Sequence, residues 1–289
     1  MTARFHTLTP TFTSLDSKFS LYQGDCNTLL PQMKESFDVI FADPPYFLSN
    51  DGLSIQSGKI VSVNKGEWDR GENIDEIDRF NMEWIANAKI ALKPTGSIMI
   101  SGTYHNIFSL GRALQKLDFK ILNIITWQKT NPPPNFSCRY LTHSTEQIIW
   151  ARKSHKYKHI FNYEILKKLN NDKQMRDVWS FPAIAPWEKT FGKHPTQKPL
   201  ALLVRLLLMA SNDDSIICDP FSGSSTTGIA ANLLHRQFIG IEKESEFINL
   251  SIKRKDELDS KFKDIGSKIS DLRLYNNIKK CLGNKNETL

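Results

Sequence analysis

The chain has 289 residues and a mass of 33.1 kDa, so at roughly 150 residues per domain it is one large domain or one core with a sizeable insertion. Its 40% hydrophobic and 24% charged residues, with 14 Gly and 13 Pro, exclude a disordered, collagenous or repeat protein. The net charge of +7 is concentrated: residues 152–198 carry 11 Lys/Arg against 4 Asp/Glu, an excess equal to that of the whole chain.

The longest apolar run, Leu200 to Ala210, is interrupted by Arg205 and falls short of the roughly 18 residues of a membrane span. The N-terminus lacks a hydrophobic segment, so no secretion signal and no membrane partner are expected. Cys26, Cys138, Cys218 and Cys281 lie far apart without a CxxC pair. That spacing argues against a zinc or other metal site and predicts a cytoplasmic protein.

In chain order, Phe19 to Gln23 predicts a strand and Asn27 to Lys34 a helix. Phe37 to Ala42 is an apolar run of the kind found in a buried parallel strand. Helical spacing over Phe80 to Leu92 stops at Lys93-Pro94-Thr95-Gly96. Ser97 to Ser101 predicts a strand, Tyr104 to Leu117 a helix, and Lys120 to Trp127 with Gln147 to Ala151 a hairpin pair. An irregular basic segment follows, then helix 199–211, strand 215–218, helix 226–234, strand 237–241 and helix 245–258. The charge-rich tail from Lys253 is expected to be a solvated helix that frays. Strand–helix alternation predicts an α/β fold with a mainly parallel sheet. Two long loops, 47–78 and 130–142, interrupt the rhythm, as functional loops do.

Five motifs carry chemistry. Asp43-Pro44-Pro45-Tyr46 directly follows a predicted strand; two prolines fix two φ angles and remove two donors, leaving a stiff loop with free carbonyls. A carboxylate and the flat rings of Tyr46 and Phe47 complete a set suited to holding a planar amino group. Asp219-Pro220-Phe221-Ser222-Gly223-Ser224-Ser225-Thr226 opens a helix after a strand, so backbone N–H groups can approach a ligand closely. A phosphate P-loop is disfavoured because no Lys follows the glycine. Glu242 ends the next strand, where a carboxylate can accept both hydroxyls of a ribose; without the preceding loop it reads as a surface glutamate. His194-Pro195-Thr196-Gln197-Lys198 precedes a long helix and alone reads as a helix start. Gly24-Asp25-Cys26 follows the first strand, and Asp25 suits a helix cap or an adenine amino group, the cap being favoured. The basic segment interleaves lysines with Tyr157, Phe161, Tyr163, Trp179 and Trp187, a pattern fitting a nucleic acid or a solvated basic face.

Together, DPPY, DPFSGSSTTG, IGIEKE and HPTQKP resemble the amino-methyltransferases of DNA that use S-adenosylmethionine, over about residues 19–258. The motif order resembles the β-class of adenine-N6 enzymes. ADPPYFLSN, ISGTYHNIFS, ITWQKTNPPPN and CRYLTHSTE are similar to the DpnA-type enzymes of GATC restriction–modification systems, which include a form acting on single strands. The resemblance implies a Rossmann-like methyltransferase fold, circularly permuted so that the chain begins with the usual third strand and ends after the second.

It also implies site roles. Asp219, Phe221, Gly223, Ser224 and Thr226, with Ser222 and Ser225, would sit by the methionine part of the cofactor. Glu242, beside Lys243, would take the ribose; Asp25, beside Cys26, the adenine edge; and His194, Thr196 and Lys198 the amino acid end. The family loop usually reads Phe-x-Gly-x-Gly, and Ser225 replaces the last glycine, so altered loop geometry is expected.

The expected reaction is adenine-N6 methylation of DNA, with Asp43 and the Pro44 carbonyl accepting the target amine and Tyr46 stacking on a base drawn out of its helix. Cytosine-N4 methylation is the alternative, although it more often has Ser in place of Asp43; protein-glutamine or RNA methylation stands third; an inactive DNA-binding module is the reading from another class. Expected domains are a catalytic half at 1–153, a recognition insertion at 154–193 contacting DNA through Lys156, Lys158, Lys167, Lys168 and Arg176, a cofactor half at 194–258 and a charged tail at 259–289. Double- or single-stranded DNA is the expected partner, with a cognate endonuclease in function; a homodimer is left open.

Overall fold

The computed structural model describes residues 8–46, 53–56, 59–62, 73–135, 137–192 and 194–286. Phe47 and most of the first long loop lie outside them. The elements are β1 (Phe12–Thr13), β2 (Phe19–Gln23), α1 (Cys26–Leu29), β3 (Phe37–Ala42), β4 (Leu53–Gln56), β5 (Lys59–Ser62), α2 (Ile74–Ala91), β6 (Leu92–Gly102), α3 (Ile107–Lys116), β7 (Lys120–Lys129), β8 (Thr145–Arg152), α4 (Tyr163–Leu169), β9 (Val178–Phe181), α5 (Leu200–Ala210), β10 (Ile216–Asp219), α6 (Thr226–Leu233), β11 (Gln237–Glu242), α7 (Ser245–Ser260), α8 (Phe262–Ser267) and α9 (Ser270–Asn286).

One nine-stranded sheet runs β1-β2-β11-β10-β3-β6-β8-β7-β9, and β4 and β5 form a separate antiparallel pair. Strands β2, β11, β10, β3 and β6 are parallel, and β8 is inserted antiparallel between β6 and β7. The first strand of the parallel core in chain order lies two places from β10, and the last lies between them. That is the permuted order expected, with the expected β7–β8 hairpin pairing.

Alternation along β10 and β3 splits the core in two. Ile217, Val39 and Phe41 face the α4–α9 side, while Ile216, Cys218, Ile40 and Ala42 face α1, α2 and α3. α5 is apolar nearly all round and buried, as its sequence demands. Gly228 lets α6 approach the sheet, because a Cβ there would come within 2.5 Å of the Phe19 and Phe238 rings.

Several expectations need correction. The turn Lys93–Gly96 does not precede β6 but bulges within it: Phe37 faces Leu92 and Val39 faces Ser97. As far as residue 279, the tail is packed on the core and is not a solvated helix. Ile265, Ile269, Leu272 and Tyr275 are buried in the α4–α9 core, and Asp271 accepts two bonds from Arg205 of α5, at 2.6 and 3.1 Å. The basic segment is not irregular throughout: it adds α4, and β9 extends the sheet parallel to β7.

The direction of β8 also moves the basic segment. Arg152 pairs with Ser97 and Lys120, at the edge where the parallel strands begin. Residues that follow therefore leave from the edge opposite to Asp43. His155 lies 3.4 Å from Asp118 there, and the Asn162 side chain caps the last carbonyls of α5 at Leu208 and Ser211. Glu146 to Arg152 spans about 20 Å at 3.3 Å per residue. Lys156 and Lys158 thus follow the end of the sheet opposite to Asp43. Lys167 and Lys168 sit on α4, with Lys168 paired to Asp172 at 2.6 Å, and Arg176 just precedes β9.

Candidate active site

Open parallel sheets bind ligands at the carboxyl ends of their strands, where the connections diverge. Here β2, β11, β10 and β3 end on Gly24-Asp25, Glu242, Asp219 and Asp43. The loop after β10 is strapped to its neighbour: Ser222 N–H donates to the Ile241 carbonyl at 2.9 Å, and Gly223 N–H to Glu242 Oε2 at 2.7 Å. Glu244 N–H donates to Glu242 Oε1 at 2.9 Å. Burial raises Glu242 above the usual carboxylate range, and these donors oppose that rise. Gly223 has φ +49°, and a Cβ there would lie 3.3 Å from the His194 ring.

Ser225 departs from expectation. It takes φ +54°, the left-handed conformation that favours glycine, so the loop keeps that geometry instead of avoiding it. Its hydroxyl bonds Ser222 at 2.7 Å and Ser251 at 2.8 Å, which offsets the backbone strain; it is fully buried and lines neither of the two pockets at these strand ends.

A cleft of about 830 Å³ opens among these strand ends. Asp25, Cys26, Asp43, Pro45, His194, Thr196, Phe221, Glu242 and Lys243 line it. A second, smaller pocket shares Asp43, His194, Thr196 and Phe221 and adds Lys198, Asp219, Ser222, Gly223, Ser224 and Thr226. The two share these four walls. Asp25 both caps α1, accepting from Asn27 N–H at 2.8 Å, and faces the cleft. Burial, then Asp25, pushes the Cys26 thiol up to about 12, so it is no nucleophile.

Asp219 is 2% exposed and makes no ion pair among the described residues. Thr227 Oγ1 donates to it at 2.6 Å and Phe221 N–H at 3.1 Å, yet burial pushes its carboxyl up to about 7. A buried carboxylate short of a cation, beside backbone N–H groups and a ribose-compatible Glu242, fits the α-ammonium and sugar of S-adenosylmethionine.

Asp43 sits in a charged cluster. Its Oδ1 accepts from Tyr46 OH at 2.7 Å and its Oδ2 from Lys198 Nζ at 2.6 Å. Tyr46 OH also bonds Ser101 Oγ at 2.9 Å, and Glu146 holds Lys129 at 2.7 Å and Lys198 at 3.5 Å. Burial would lower Lys198, but Asp43 and Glu146 hold it above its ordinary value. Burial, then Asp43 and Glu146, pushes Tyr46 well up, so its hydroxyl stays a donor. The expected stacking role of Tyr46 meets a contrary placement: the ring is 4% exposed and lies under Lys198 Nζ at 5.1 Å. Pro44 is buried and Pro45 half-buried, its carbonyl 3.4 Å from Asn106 Nδ2.

Sequence reasoning missed Glu146, in an ordinary strand; Phe80 and Phe247, which line the cleft; and Arg254. Arg254 is buried behind the loop after β10 and donates to the Ser224 carbonyl at 2.6 Å and Thr226 Oγ1 at 2.9 Å. Burial pushes its guanidinium down to about 10. No motif marks it; only its place on α7 does.

The N6/N4 methyltransferase family, described as DNA methylase, matches residues 37–253. The type II methyltransferase M2.MboI of Moraxella bovis is 58% identical over 250 residues, covering 86% of this chain and 92% of that protein. M2.DpnII of Streptococcus pneumoniae is 53% identical over 240 residues, covering 82% and 90%. Among solved structures, the M1.HpyAVI–SAM complex is 31% identical with a TM-score of 0.62, over 82% of this chain and 98% of that one. The cytosine-N4-specific PvuII DNA methyltransferase shares the fold at TM-score 0.66 and 20% identity, over 93% and 94%. With its permuted sheet, DPPY loop and these matches, the chain belongs to the N6/N4 family of DNA methylases.

Proposed function

We propose that this chain transfers a methyl group from S-adenosylmethionine to the N6 amino group of adenine in DNA, at GATC sites, within a restriction–modification system. The relatives named for the MboI and DpnII systems support the site and the setting. The observation that carries the chemistry is the half-buried Asp43, fixed at both oxygens and lining both the cleft that holds Glu242 and the pocket that holds Asp219.

S-adenosylmethionine supplies, when bound, a methyl group made electrophilic by a sulfonium. Asp219 would hold its ammonium, Glu242 its ribose and Asp25 its adenine edge, between the apolar walls of Phe221 and Phe247. The adenine amino group is a weak nucleophile because its lone pair is delocalised into the ring. Asp43 accepts one of its N–H bonds and the Pro44 carbonyl the other, favouring a tetrahedral nitrogen. Each Asp43 oxygen has a second lone pair, so Tyr46 and Lys198 orient the carboxylate without saturating it. The protein's contribution is positioning and electrostatic stabilisation. Such an enzyme works in the cytoplasm beside a cognate endonuclease that it need not touch.

The test is Asp43→Asn, which keeps the shape of the side chain. Mass analysis of nucleosides from a GATC oligonucleotide should show N6-methyladenine with the wild-type protein and none with the variant, while calorimetry shows cofactor binding retained. N4-methylcytosine, or a variant as fast as wild type, refutes the reading; a wild type that binds DNA but not the cofactor leaves a binding module.

A further inference from the structure

Four rings form a column at the same end of the sheet as Asp43. His105 and Tyr104 have centroids 3.9 Å apart, Tyr104 and His143 are stacked at 4.7 Å and 21°, and Tyr140 follows His143 at 5.3 Å. The rings come from two loops, the turn after β6 and the connection between β7 and β8. Both are fastened to the catalytic loop or the sheet. Asn106 accepts from Thr103 N–H at 3.0 Å and reaches the Pro45 carbonyl of the DPPY loop. Lys129 N–H donates to the Ser144 carbonyl at 2.8 Å, and Asn131 Oδ1 accepts from Ala183 N–H at 2.8 Å. Three consecutive prolines, Pro132 to Pro134, fix three φ angles between these anchors.

Despite this support the rings stand in water. Tyr104 is 54% exposed and Tyr140 61%, with Leu141 beside them at 89%. A large aromatic is among the most favourable side chains to bury, so an ordered, exposed group of them marks a contact surface. Its chemistry selects the partner. Residues 103–108 and 130–145 contain no Asp or Glu and carry Arg139, so the surface suits a phosphate backbone. Ring faces, rather than aliphatic knobs, match bases, and bases offer their faces only when unpaired.

We propose that Tyr104 and Tyr140, with His143 between them, are stacking sites for unpaired bases flanking the target nucleotide. The proposal rests on the DNA-methylation reading and adds what grips the strand once the target base has left its stack. It places a DNA contact at the Asp43 end of the sheet, opposite to the end from which Lys156 and Lys158 leave.

The experiment uses the full chain and a labelled single-stranded oligonucleotide holding one target adenine, with fluorescence anisotropy for affinity. Tyr104→Ala and Tyr140→Ala should each weaken binding about 5- to 150-fold, the range for loss of one base–aromatic stack. Cofactor affinity should not change. Tyr104→Phe and Tyr140→Phe should bind as wild type. Oligonucleotides with an abasic residue at each flanking position complete a cycle: at the stacked position, the alanine loss and the abasic loss should not add. Strictly additive losses, full affinity in the alanine variants, or phenylalanine variants as weak as alanine would each overturn stacking. A dimer that dissociates in the alanine variants with DNA affinity intact would assign the surface to a second copy instead. Because affinity is read apart from product identity, failure here is distinct from failure to form N6-methyladenine.

Discussion

The substitution Asp219→Asn should make the cofactor-free protein more stable while abolishing its use of cofactor. Asp219 is 2% exposed, and burial pushes its carboxyl from 3.8 to about 7. At about 1.4 kcal/mol for each pH unit, that rise corresponds to about 4 kcal/mol spent on ionising the folded protein. The sign follows from linkage: the folded pKa lies above the unfolded one, so the folded state binds more protons between pH 3.8 and about 7. The cost is absent below pH 3.8, grows as pH rises through that window, and is complete above about 7. The amide of the variant cannot ionise, but it loses part of the bonding from Thr227 Oγ1 and Phe221 N–H, about half the gain at roughly 1 kcal/mol per bond. A net of about 2 kcal/mol should raise Tm by about 4–8 °C at pH 8, whereas near pH 4, where the ionisation cost is absent and the lost bonding remains, the variant should melt lower than wild type by a similar amount. Thermal melts of apo protein across pH, with calorimetry of S-adenosylmethionine binding, measure both effects. In the wild type the cofactor's ammonium should bind more weakly as pH falls below 7, and the variant should lose that dependence along with most of its affinity. A variant less stable than wild type at pH 8, with the same pH profile, would refute an unpaired, ionised Asp219.

Three other outcomes follow from the same geometry. Glu242→Gln should weaken cofactor affinity by about 1–3 kcal/mol in calorimetry, the range for charge-assisted bonds; because Glu242 also receives Gly223 N–H, the variant should additionally lose hydrogen-exchange protection at 222–224. Glu146→Gln leaves Lys129 without its ion pair and Lys198 with Asp43 alone, so denaturant unfolding should show a loss of about 1–3 kcal/mol, as for lost bonds to a charged group. Neutralising Lys156 and Lys158 together should leave the salt dependence of DNA affinity unchanged, whereas Arg139→Gln should reduce its slope by about 0.7 on single strands; a flattened slope in the lysine pair would put DNA on the far edge of the sheet.

What the sequence disclosed and what it hid divide along one physical line. Motifs built from backbone constraint were legible, because their chemistry lies in adjacent residues: the two prolines after Asp43, the small residues from Ser222 to Thr226, and the glycine on which a Cβ would lie 3.3 Å from the His194 ring. Permutation was legible for the same reason, since each motif marks the end of its own strand wherever that strand falls in the chain. Residues that act through tertiary neighbours were not. Glu146 looks like any strand glutamate until β8 enters antiparallel between β6 and β7 and brings it to Lys129 and Lys198. The reversal of that single strand also decides the fate of the basic segment. It carries the chain from Glu146, in the cluster around Asp43, to Arg152 at the far edge, so lysines that look like a DNA grip in sequence emerge behind the site. The same reversal leaves the β7–β8 connection, with Tyr140 and His143, at the end where the target base arrives. Charge count registers composition alone, whereas strand direction sets which end of the sheet a composition can serve.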